Sequence, residues 1–139
     1  PKYLQEGSEK MKLNHDCIRE LMLYIEENLE LGEMIDMSIT TISDFSEEDT
    51  IYSAVKLHEA GYLSGDVVQT LGGEYRAMIS GITWEGHKFL DTIRDNQVWS
   101  HTKTVLSKVS SASISFTSSV ASQVLTNLIS QSLGGQPIL

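Results

Sequence analysis

The stretch ITWEGHKFLDTIRDNQVW, residues 82–99, holds both tryptophans of the chain, two carboxylates near a histidine, and a glycine inside a helical pattern. Thr83 can cap a helix on which Phe89, Leu90 and Ile93 return at helical spacing. Gly86 costs that helix about 1 kcal/mol relative to alanine, so its presence predicts close approach to a neighbouring element. The helical pattern continues through NQVWSHTKTVLSKV to about Val109, with a kink expected near Asn96. His87 and Asp91 lie four apart and could share a face as a metal or acid–base pair. Zinc needs three or four protein ligands, and no third stands nearby at a recognised spacing. The stretch therefore reads as packing, with Trp84, Phe89, Leu90, Ile93 and Trp99 as core or groove residues. His15 with Cys17, and His101, read as scattered structural singles, so no metal and no cofactor are expected.

Upstream, NHDCIRELMLYIEENLEL places Ile18, Leu21, Met22, Ile25 and Leu29 on one helical face behind an Asn14 cap, with Gly32 as a stop. MIDMSITTI alternates apolar and polar residues and predicts a short strand or extended segment leading into a turn. SEEDTIYSAVKLHEAGYL opens on Ser46, three before Asp49, and closes on Gly61. Its inward face is Ile51, Ala54, Val55 and either Leu57 or His58. DVVQTL and EYRAMISGI are strand-like runs joined through Gly72 and Gly73, a hairpin signal because glycine tolerates positive φ.

Beyond Lys108 the texture changes, since Val109 to Leu139 contains no charged residue. Serine and threonine abound, yet Ile114, Phe116, Val120, Ala121, Val124, Leu125, Leu128 and Ile129 recur too regularly for a linker. They predict an apolar-faced helix from about Ser113 to Ser132, followed by a loose GGQPIL tail. At the other end Met11 looks like a natural start, which sets residues 1–10 apart as upstream or added sequence. The organisation expected is thus 1–10, a body over 11–108, and a C-terminal helix and tail over 109–139.

The order helix, short strand, helix, hairpin, long helix is that of an α+β winged helix, where a hairpin packs against helices and the last helix covers one side. ITWEGHKFLDTI resembles the phrase LTxxGxxFLxxI that follows the wing in many such domains, and AVKLHEAGYL resembles the end of the helix entering the wing. From Met11 to about Ile129, MKLNHDCIRELMLYIEENL, AGYL, ITWEGHKFLDTIRDNQVW and SSVASQVLTNLI together resemble a family of uncharacterised proteins of Gram-positive bacteria, phages and mobile elements, the domain of unknown function 2513 family. That resemblance implies a winged-helix-like body and a prophage or mobile-element context. It implies no activity and no catalytic residues.

Charge narrows the function classes further. Fifteen acids against five bases precede Val67, leaving −10 there, while the remainder is close to neutral. The expected recognition helix begins SEEDT, so Glu47, Glu48 and Asp49 stand where phosphates or base edges would approach. Lys56 is its one side-chain cation, and Arg76 sits near the wing tip beside Glu74. Nonspecific DNA affinity comes mainly from neutralising phosphates, and this face opposes it. Lys88, Arg94, Lys103 and Lys108 form the better candidate for nucleic-acid contact. No phosphate loop, nucleophile elbow or paired-cysteine motif occurs, so no enzyme is expected. The lone Cys17 and the lack of a basic-then-apolar leader point to the cytoplasm. Ser118, Ser119, Ser122, Gln123, Thr126 and Asn127 interrupt the C-terminal helix, which argues against a membrane span. Its apolar residues Ile114, Phe116, Val120, Val124, Leu125, Leu128 and Ile129 are the expected oligomer or partner interface. The leading expectation is a non-enzymatic adaptor that self-associates or binds a protein partner, with its acidic face toward a basic one. The alternative is a DNA-binding transcriptional regulator of the same element.

Overall fold

A computed structural model describes residues 12–134 of the chain. Residues 1–10, and the expected tail beyond Gly134, lie outside the described residues. Among the described residues the fold is α+β, with five helices and one three-stranded antiparallel sheet. The elements are α1 (His15–Asn28), β1 (Ile35–Asp36), α2 (Glu47–Glu59), β2 (Leu63–Gln69), β3 (Tyr75–Ile82), α3 (Trp84–Ile93), α4 (Asn96–Leu106) and α5 (Ile114–Ser132). The chain divides into two compact units, Pro1–His87 and Lys88–Leu139.

In the first unit α1 starts where Asn14 Oδ1 accepts the Cys17 amide at 3.1 Å, satisfying one of the orphan donors of a helix start. Cys17, Ile18, Leu21, Met22 and Ile25 are buried on its inner face. The same Asn14 donates from Nδ2 to Asp49 Oδ2 at 3.1 Å, which ties the start of α1 to the first turn of α2. The cap of α2 is Ser46, whose Oγ accepts the Asp49 amide at 3.0 Å. Its buried residues are Thr50, Ser53, Ala54, Val55 and Leu57, so Leu57 faces inward. His58 turns instead to the hairpin, with Nε2 at 3.1 Å from the Gly65 carbonyl oxygen.

The sheet order is β1–β3–β2, all antiparallel. The expected strand in MIDMSITTI is only two residues long, with Ile35 opposite Ile79 and Asp36 opposite Met78. Local hydrogen bonds end it: the Asp36 carboxylate accepts from the Ser38 amide and hydroxyl, and Thr40 Oγ1 donates to the Asp36 carbonyl. Such side-chain bonds compete with ladder bonds and bend the chain away. The turns over 37–45 still bury Met37 and Ile42 while leaving Ile39 exposed. β2 begins earlier than its β-branched run, at Leu63, and carries a bulge between Ser64 and Gly65. A Cβ at Gly65 would strike the Met78 carbonyl, and its φ of +142° belongs to glycine.

Thr83 caps α3 by accepting the Gly86 amide at 3.0 Å while donating to the Gly61 carbonyl at 2.6 Å. Gly86 is the predicted close approach: a Cβ there would land on the Tyr62 carbonyl oxygen and the Ile82 Cγ2. Phe89, Leu90, Ile93 and Trp99 are buried as expected, but Trp84 is 75% exposed. The reason is angular, because five residues from Trp84 to Phe89 place the two about 140° apart around the helix.

The long helix expected from residue 84 to about Val109 is two helices. Asp95, in extended conformation, accepts the Gln97 and Val98 amides at 2.9 Å and starts α4 anew. In the second unit α4 packs on α5. Ser113 caps α5 by accepting the Phe116 amide at 3.1 Å, as its position before the apolar run predicts.

Candidate functional site

Helical spacing sets a stripe of side chains along one face of α2: Glu48, Ile51, Tyr52, Val55, Lys56 and Glu59 follow one another at three- or four-residue or adjacent steps. The opposite face is committed to the core through Thr50, Ser53, Ala54 and Leu57. The hairpin returns past α2 and brings Tyr75, at the start of β3, to the same stripe. Together they line an open groove of about 270 Å³.

The groove joins an apolar lining, two phenol rings and carboxylates. Val55 is buried and Ile51 and Tyr52 half-buried, whereas Glu48 and Glu59 are exposed. Tyr75 is 43% exposed. Lys56 shows how the groove treats a cation: its Nζ lies 5.5 Å from the centre of the Tyr52 ring and 3.1 Å from Glu59 Oε2. The hydrogen bond to Glu59 holds the ammonium pKa above its ordinary value, so Lys56 is fully charged at neutral pH. With that pair neutralised, Glu48 leaves the lining at −1, and Glu47 and Asp49 add two further acids within the first turn of α2.

The candidate nucleic-acid residues of this unit are both engaged. Lys56 is paired with Glu59, and Arg76 Nη2 is 3.2 Å from Asp36 Oδ2 across the β1–β3 pair. In the second unit Lys88, Arg94, Lys103 and Lys108 are all exposed. Arg94 Nη2 contacts Asp91 Oδ1 at 3.2 Å, so Asp91 spends its carboxylate on an ion pair three residues away. His87 is exposed, and among the described residues no group of three or more His, Cys, Asp or Glu side chains could hold a metal ion.

Of the expected interface residues on α5, Ile114 is buried, while Val120, Val124, Leu125 and Leu128 are half-buried. Phe116 and Ile129 are 42% and 39% exposed. The remaining burial falls on Thr117 and Ala121, so the helix seats its smaller residues and leaves large apolar ones partly open. Among the described residues no helix is long and apolar enough to cross a membrane.

Sequence reading missed the groove for a specific reason. Ile51 and Val55 were expected to be core, and Tyr52 and Tyr75 carry no motif. The stripe on α2 was readable as a helical face, but only the hairpin, with Tyr75 opposite Gln69, brings the seventh lining residue from beyond the turn.

A model of the family described as hypothetical protein (DUF2513) matches residues 12–113. An uncharacterized protein of Haemophilus influenzae is 32% identical over 124 residues, spanning 88% of this chain and 99% of that relative. No solved structure matches.

Proposed function

This chain belongs to the DUF2513 family, and from that premise we propose that it is a non-enzymatic protein-interaction module of a prophage or mobile element, built as a winged helix. The order α1, β1, α2, hairpin, α3 and the sheet order β1–β3–β2 support the winged-helix reading. Turns take the place of a helix over 37–45, immediately before α2, which weakens the likeness to a DNA-reading helix-turn-helix. In this reading the acidic α2 and hairpin face engages a basic partner protein, and α5 supplies self-association.

The observation that carries the proposal is electrostatic. The face that reads DNA in winged helices begins here with Glu47, Glu48 and Asp49, and its nearby cations Lys56 and Arg76 are held by Glu59 and Asp36. Phosphate neutralisation supplies nearly all nonspecific DNA affinity, so this surface repels a duplex and attracts a polycation.

The test is binding of the full chain to random and own-locus duplex DNA across a salt series. No binding at low salt is expected. Tight, steeply salt-dependent binding that weakens when Lys88, Arg94, Lys103 and Lys108 are replaced by Gln would overturn the proposal in favour of a DNA-binding regulator acting through the second unit.

A further inference from the structure

We infer that the groove between α2 and Tyr75 is an arginine-binding site, taking an arginine side chain and an adjoining apolar residue from a linear segment of a partner protein. The inference rests on the reading that the acidic α2 face engages a basic partner, and it names the group that is recognised.

Three features select the guanidinium. Tyr52 and Tyr75 both line the groove, the Tyr52 ring already has the Lys56 ammonium 5.5 Å from its centre, and arginine is the cation that stacks on such rings most readily. Glu48, an exposed residue of the lining, adds a carboxylate, the group a guanidinium grips through two parallel N–H bonds in a geometry unavailable to an ammonium. Ile51 and Val55 supply apolar surface for the methylene stem and for a neighbouring aliphatic residue. About 270 Å³ is more than one side chain requires, which is why a flanking apolar residue belongs to the ligand. Charge points the same way, since Glu48, Lys56 and Glu59 sum to −1 and Glu47 and Asp49 lie beside them.

Lys56 is the internal stand-in for this ligand. Its ammonium already sits against Tyr52 and Glu59, so it competes with an incoming guanidinium and repels it. Removing that charge strengthens binding to a basic segment, whereas a DNA-binding face would be weakened by the same change.

The test uses the full chain, isotope-labelled, titrated with the peptide acetyl-Gly-Leu-Arg-Leu-Gly-amide while backbone amide shifts are followed by NMR. Peptides with Lys or norleucine in place of Arg serve as comparisons, and poly-L-lysine probes the acidic face as a whole. The expected result is a shift cluster over residues 48–59 and at Tyr75. Affinity should drop about tenfold with norleucine and several-fold with Lys. Tyr75→Phe should retain binding and Tyr75→Ala lose it, Glu48→Gln should weaken it several-fold, and Lys56→Gln should strengthen it. Equal binding of the three peptides, or no shift with any while poly-L-lysine still perturbs α2, would remove the arginine site and leave the broader acidic-face reading in place. No response to either probe would remove both.

Discussion

Asp36 shows how much one side chain can organise. Its carboxylate accepts from the Ser38 amide and hydroxyl and from Arg76, ending β1 and joining it to β3 at once. The Ser38 hydroxyl bond, with smaller help from the Ser38 amide and Arg76, holds the Asp36 pKa below the ordinary carboxylate range. A lowered folded value means that the carboxylate stabilises the fold above its unfolded pKa of about 4, and that this contribution is lost as pH falls through the folded value. Asp36→Asn should therefore cost about 1 kcal/mol at neutral pH. As pH falls through that lowered folded value the variant and the parent should converge. Urea unfolding at a series of pH values measures both, and a difference that persists in acid would show that the carboxylate is not the source. Cys17 illustrates the opposite role: fully buried, with its thiol pKa raised chiefly by burial, it is a small apolar core residue and a poor nucleophile.

Helix boundaries are decided at the scale of the element, and here capping outweighs periodicity. Only the four polar residues Arg94 to Gln97 separate the apolar positions of α3 from those of α4, and within them Asp95 satisfies two amides of a new helix and splits the two. Asp is a strong cap and only a middling helix interior residue, so the split follows from its chemistry. Gly86 shows packing overriding propensity. In an exposed helix Gly→Ala stabilises by about 1 kcal/mol, but an added methyl at Gly86 collides with backbone at Tyr62 and with Ile82. Overpacking of that kind costs about 3 kcal/mol, so Gly86→Ala should destabilise the protein by about 2 kcal/mol. Thermal or urea unfolding reads this directly, and a stabilised variant would mean that α3 stands clear of the chain entering the hairpin.

For the whole molecule, self-association is the property that α5 governs in the proposed function. Phe116 and Ile129 stay open on a helix that carries no charged residue, and in the proposed function a second copy covers α5 at these positions. The double variant Phe116→Ser, Ile129→Ser should lower the mass measured by light scattering to that of a single chain while leaving the helical circular dichroism unchanged. An unaltered mass would place self-association elsewhere. Much of the architecture was present in the chain's own pattern: α1, α2 and α5 follow from 3.6-residue periodicity between Asn14, Ser46 and Ser113 caps, the hairpin from its two glycines, and the tight approach at Gly86 from a residue that helices otherwise avoid. These are local signals, written within one turn of the residues that obey them. The pairing of β1 with β3 and the convergence of Tyr75 on the α2 stripe were decided only by tertiary structure. Both depend on which distant segment meets an element, and local periodicity carries no information about a neighbour that arrives from the far side of a turn.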